Sequence, residues 1–263
     1  MPFKQETVSV RNGMFNVSLR RGGSGSPLVY LPGAGGQSEW EPFLEMLSQE
    51  FDVIVPSPPG WPGSTGLEHL DDVIDVALFY LDLFDTLGLS SVNLVGSSLG
   101  GMFAAEIAAL GGSYVNRLVL CEPAGLWLDE HQPLDFFVAA PDELMRALFV
   151  DVEAAMARRT GPDPEDKEAV AKANLDRQMA MAATSKFVWP IPDKGLKRRI
   201  HRIQSPTLIV WGESDGLVSA SYAEDFQSGI KGSRVAILSE CGHFPMFEKR
   251  DEFVGLVTEF LTS

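Results

Sequence analysis

The sequence predicts an α/β fold, a mostly parallel central sheet flanked by helices. Three observations predict it. Short apolar runs recur at Leu28–Leu31, Val53–Val55, Val92–Val95, Leu118–Cys121, Thr207–Trp211 and Arg234–Leu238. They lack in–out alternation, as strands buried on both faces do. Segments with apolar residues at helical spacing lie between most of them, at 38–50, 69–87, 99–110, 219–228 and 248–261, and strand–helix alternation builds a parallel sheet. The third observation is an interruption. Between Cys121 and Thr207 no strand pattern occurs, and two helical segments near 141–159 and 165–183 flank the breaker Gly161-Pro162-Asp163-Pro164. A structureless loop of about 80 residues is improbable in a compact protein, so this stretch reads as a helical insertion over the strand ends.

The elements at either end follow the same logic. Residues 3–10 and 14–19 read as two strands joined at Asn12-Gly13, a strong hairpin signal. Ser219 is the expected N-cap of the helix at 219–228. In sheets of this kind ligands bind at the carboxyl ends of the strands, which directs attention to the residues immediately after each apolar run.

Composition bounds the function. The chain has 263 residues, 45% hydrophobic and 22% charged, with a net charge of −15. That charge repels phosphate backbones and anionic membrane surfaces, so nucleic acid and membrane are not expected partners. Two cysteines, Cys121 and Cys241, are too few for a disulfide framework or a cysteine-rich metal site; both are expected as free thiols. The N-terminal residues carry no signal-peptide pattern and no apolar run reaches the roughly 20 residues that span a bilayer. A cytoplasmic setting, no metal and no cofactor are the expectation.

Two G-x-S-x-G patterns occur, Gly96-Ser97-Ser98-Leu99-Gly100 and Gly212-Glu213-Ser214-Asp215-Gly216. The pattern alone is weak, and context separates the two. A nucleophile elbow needs a strand running directly into a helix with the serine on the turn. Ser98 lies between Val92–Val95 and Met102–Ala108, with Gly96, Gly100 and Gly101 allowing a close approach of backbone. Ser214 lacks both an immediate helix and an acid-then-histidine succession downstream. Of the four histidines, His69 opens a helix, His131 lies in the insertion and His201 precedes a strand at the amino end of the sheet. His243 follows the last strand, so it is the candidate base. Asp215 follows Thr207–Trp211 and is the favoured acid, with Glu122 as its rival. The order Ser98, Asp215, His243 is the order this architecture uses. Donors for a developing oxyanion are the amide of Leu99, at a helix N-terminus, and the amide of Ala34 in the turn Pro32-Gly33-Ala34-Gly35-Gly36.

Together these elements resemble the α/β-hydrolase superfamily over nearly the whole chain. The resemblance is carried by Leu31-Pro32-Gly33-Ala34-Gly35, Pro59-Gly60-Trp61-Pro62-Gly63-Ser64, the Ser98 turn, Trp211-Gly212-Glu213-Ser214-Asp215 and Gly242-His243-Phe244-Pro245. It implies a core of residues 1–121 and 207–263 with 122–206 as a helical cap. Pro32 stands where the family often has histidine. Members that hydrolyse epoxides or alkyl halides carry aspartate at the elbow, and Ser98 argues against both. Haloperoxidase-like members share the triad, which leaves perhydrolysis as a side activity.

The reading that follows is a cofactor-free serine hydrolase, a carboxylesterase for small to medium acyl or aromatic esters, acting as a monomer or homodimer. Trp61, Trp127, Phe137, Trp189 and Phe244 are candidate pocket residues. One alternative is a carbon–carbon bond hydrolase of the meta-cleavage type. Those members typically carry tryptophan directly after the base, where this chain has Phe244, and need a cap cation for a substrate carboxylate, drawn from Arg146, Arg158, Arg159, Arg177 and Lys186. The other alternative is a non-enzymatic small-ligand binder.

Overall fold

A computed structural model describes residues 3–36, 39–157, 161–191 and 193–263. Eight strands form one sheet: β1 (Lys4–Val10), β2 (Phe15–Gly23), β3 (Ser26–Leu31), β4 (Phe51–Pro56), β5 (Val92–Ser97), β6 (Val115–Cys121), β7 (Thr207–Gly212) and β8 (Arg234–Leu238). Their order across the sheet is β1-β2-β4-β3-β5-β6-β7-β8. β1 and β2 pair antiparallel, as does β2 with β4, and every other pair is parallel. The hairpin signal holds: Arg11 and Asn12 both have positive φ, and Val10 pairs with Phe15. All six residues of β5 and of β7 are buried, which is why these runs show no alternation in sequence.

The helices are α1 (Pro42–Leu47), α2 (Val73–Thr86), α3 (Leu99–Leu110), α4 (Pro141–Leu148), α5 (Val152–Ala157), α6 (Lys167–Val188), α7 (Tyr222–Gly229), α8 (Pro245–Glu248) and α9 (Arg250–Thr262). The chain leaves β3 for β4 on one side and then crosses back over β3 to reach β5. Right-handed crossovers therefore put α1 on one face and α2 and α3 on the other. α9 joins α1, with Phe43 packed edge-on to Phe253. Because the chain turns in opposite directions after β3 and β5, a crevice opens at their carboxyl ends.

Several boundaries differ from those expected. α1 is shorter than 38–50 because Pro42 starts it, after an extended Glu41. Ser219 is not the N-cap of α7; its hydroxyl accepts from the Ser221 amide and the helix begins at Tyr222. The segment read as one helix at 141–159 is two. Phe149 is extended, and Asp151 restarts the helix by accepting from the Ala154 amide at 2.9 Å. α6 outruns its expected end at 183 and stops only at Val188, since Pro190 forces Trp189 out of the helical region. Its start is capped by Asp166, which accepts from the Ala169 amide.

Among the described residues, 122–206 contain no strand and no helix is long and apolar enough to cross a membrane. The end of this insertion is fastened to α3. Arg199 donates two hydrogen bonds, each 2.7 Å, to Glu106, which is fully buried in that helix. Removing the arginine leaves an uncompensated charge in the core, a defect that costs about 3–5 kcal/mol. Arg199→Met is expected to lower the free energy of unfolding by about 3 kcal/mol, read by equilibrium urea denaturation.

Candidate active site

The site begins with a strained turn. Ser98 sits between β5 and α3 with φ 54° and ψ −114°, a conformation that a residue with a Cβ rarely adopts. Its backbone is tied down from both directions. The Ser98 amide donates to Cys121 O at 2.8 Å, and its carbonyl accepts from Ala124 and Met102. The glycines beside it have no room for a side chain. A Cβ on Gly100 would collide with the carbonyl of Leu31, and one on Gly96 with that of Gly100. The Ser98 side chain does not cap α3, so it does not compete for the amides of the first turn.

Asp215 and His243 meet below the surface. Asp215 Oδ2 lies 2.7 Å from His243 Nδ1, and both side chains are fully buried. Three further donors hold the carboxylate: the Trp211 indole at 3.1 Å and the amides of Leu217 and Val218 at 2.9 and 3.0 Å. These fix its orientation and offset the loss of its water. With Nδ1–H given to Asp215, Nε2 carries the lone pair. That atom is buried and makes no hydrogen bond to any described residue, Ser98 included. Such hydrogen bonds commonly tighten only when substrate binds.

The turn after β3 reaches the same place. A Cβ on Gly33 would stand 3.4 Å from Ser98 Cβ and 3.7 Å from the ring of Phe244. The turn closes through the Gly36 amide and Gly33 carbonyl at 3.0 Å. The structure thus brings Ser98, Leu99 and the Gly33–Ala34 segment together, with Phe244 packed on the His243 ring at 4.8 Å between centroids. Trp61 is buried and lines a narrow apolar pocket with Leu99, Phe103, Thr184 and Phe187. The other three aromatic candidates lie in the insertion. Trp189 is 50% exposed with its edge against Phe137, and the Trp127 indole donates to Asp129. His131 and His201 are exposed. Arg146 pairs with Asp142 in solvent, Arg177 is exposed, and Lys186 donates to Leu67 O. Arg158 and Arg159 lie outside the described residues.

Sequence reasoning missed two residues here. Thr184, fully buried on α6, donates its hydroxyl to Ala34 O at 3.1 Å and so steadies the turn after β3. Glu248 accepts from the Gly242 amide beside His243. Thr184 acts on a turn 150 residues away, and Glu248 also accepts from the Val150 amide 98 residues away, so no local pattern marks them.

Glu122, the rival acid, occupies a different environment from Asp215. It is fully buried with φ 42°, and neither carboxyl oxygen has a hydrogen-bond partner among the described residues. Burial, and then the charge of Asp215, push its pKa well above the carboxylate range. The two cysteines are free and buried, and burial raises both thiols.

The alpha/beta hydrolase fold family profile matches residues 26–250, and the chain belongs to that family. Among curated relatives, it is 28% identical to the 2-hydroxy-6-oxononadienedioate/2-hydroxy-6-oxononatrienedioate hydrolase 2 of Pseudomonas putida, covering 96% of this chain and 94% of that protein. It is 29% identical to the 2-hydroxy-6-oxo-6-(2'-aminophenyl)hexa-2,4-dienoic acid hydrolase of Metapseudomonas resinovorans, covering 91% and 85%. Among solved structures, a membrane phospholipase A described as a bacterial virulence factor superposes with a TM-score of 0.82 at 23% identity, covering 99% of this chain and 86% of that one. The last likeness is one of fold.

Two outcomes follow from the buried groups. The native state holds the Glu122 proton more tightly than the unfolded chain, whose glutamate titrates near about 4.3. Its contribution to stability is therefore complete below that pH and is lost as pH rises toward the raised native value. Glu122→Gln should stabilise the protein at pH 8 by about 1 kcal/mol or more, with the gain shrinking toward pH 5, measured by urea denaturation at both values. A thiol reagent such as Ellman's should react slowly with the native protein and find two thiols after denaturation.

Proposed function

We propose that this chain is a serine hydrolase of carboxylic esters with small to medium acyl or aromatic groups, and that residues 122–206 are its cap. The observation that carries the reading is the buried 2.7 Å contact between Asp215 and His243 beside a serine held on a strained strand-to-helix turn. His243 Nε2 takes the Ser98 proton as Oγ attacks the acyl carbonyl. The amides of Leu99 and Ala34 receive the oxyanion. The imidazolium that forms is balanced by Asp215, then gives its proton to the departing alkoxide. Water, deprotonated by the same Nε2, releases the acid and restores Ser98.

Carbon–carbon bond hydrolysis of a meta-cleavage product is the second reading, supported by the names of the curated relatives. The ester reading is preferred because Phe244 follows the base. In addition, Arg146, Arg177 and Lys186, the described candidates for a substrate carboxylate, are exposed. The apolar surroundings of Trp61, Phe103 and Phe187 suit an acyl or aryl group.

The test is a panel of p-nitrophenyl esters of increasing acyl length, run beside a ring-fission vinylogous diketone. Ester hydrolysis at the higher kcat/KM is expected. Ser98→Ala should lower kcat by roughly 10,000-fold or more, and Asp215→Asn by about 1,000- to 10,000-fold. Preference for the diketone would establish the second reading, full activity in Ser98→Ala would overturn the mechanism, and no turnover of either class would leave a binding protein.

A further inference from the structure

Glu248 joins two segments that are distant in sequence, one six residues and the other 98 residues before it. Its side chain is almost wholly buried. Oε2 accepts from the Gly242 amide at 2.6 Å. Oε1 accepts from the amides of Val150 at 2.8 Å and Asp151 at 3.3 Å. One carboxylate thus satisfies three backbone donors, one beside His243 and two in the link between α4 and α5.

The same junction is closed by the end of α4. A helix leaves its last carbonyls without intrahelical partners. Here Leu148 O accepts from the His243 amide at 2.7 Å and Ala147 O from the Gly216 amide at 2.9 Å. The successive amides of Gly242 and His243 are therefore held by two acceptors, Glu248 Oε2 and Leu148 O, that are braced against, or belong to, the insertion. Gly242 has no freedom to relax, since a Cβ there would press on Leu148 O and on Glu248 Oε2. The Nδ1 contact to Asp215 fixes the ring of His243 but not its height above Ser98. That height is set by the backbone.

Resting on the serine-hydrolase reading, we propose that Glu248 is a positioning residue for His243: it locks the loop carrying the base to the insertion and so sets where Nε2 stands over Ser98. The carboxylate is required in that role because both faces of the junction present N–H donors. Glutamine has the same shape, but its NH₂ must face one of those donors whichever way it lies. A displacement of about 1 Å in a catalytic group costs on the order of 100-fold in rate.

The experiment uses the full chain, a fluorophosphonate probe that labels an activated serine, and steady-state hydrolysis of p-nitrophenyl acetate. The parent should label at Ser98 and Ser98→Ala should not; failure of this arm overturns the serine reading and the proposal with it. Given a labelling parent, folded Glu248→Gln should label about 10- to 100-fold more slowly and show the same loss in kcat, with KM within about twofold. Glu248→Asp, which keeps the charge but falls short of one flank, should lie between the two. A purely structural role would lower the denaturation midpoint and leave the labelling rate well below that midpoint unchanged. Parent-like labelling of the folded variants overturns the proposal while the serine reading stands. If the glutamine variant does not fold, the aspartate variant decides alone.

Discussion

The first turn of α3 passes so close to the end of β3 that only hydrogen fits on Gly100 against the carbonyl of Leu31. This approach is the constraint on which the rest depends. It forces the chain from β5 into α3 through a sharp turn, and the residue at the turn is Ser98, with positive φ. It also brings the loop after β3 alongside the N-terminus of α3, so Gly33 packs on Ser98. A larger residue at Gly96 or Gly100 would spread the two strand ends and separate the amides of Ala34 and Leu99. The strain at Ser98 is tolerated because its backbone amide and carbonyl are bonded to Cys121, Ala124 and Met102.

The strands and α3 were legible because burial on both faces leaves a continuous apolar run and α3 is buried nearly all round. The positions of Ser98, Asp215 and His243 were legible because each follows a strand at the carboxyl edge. What escaped the sequence was set by long-range contacts. The break at Phe149–Asp151 exists where the end of α4 meets the loops of Asp215 and His243, and an apolar-periodic segment gives no sign of that meeting. Thr184 and Glu248 read locally as ordinary helix residues. The difference between Asp215 and Glu122 is likewise tertiary. Both carboxylates follow strands, yet among the described residues one has four hydrogen-bonding partners and the other none.

That difference has a chemical meaning. A carboxylate can balance an imidazolium only if its own charge is held by donors, which is the situation of Asp215. Burial, and then the charge of Asp215, push Glu122 toward its neutral form, and it has no hydrogen-bond partner among the described residues. Of these two acids only Asp215 has donors around its carboxylate among those residues, and a neutral Glu122 would exert no repulsion on it.

The terminal carbonyls of α4 accept the amides of Gly216 and His243, so the insertion is part of the frame that holds the loops of Asp215 and His243. Here an exchange at residues 122 and 206 would remove backbone acceptors used by the core. A chimera would need an incoming helix that ends at the same height and in the same register, whatever pocket it carried.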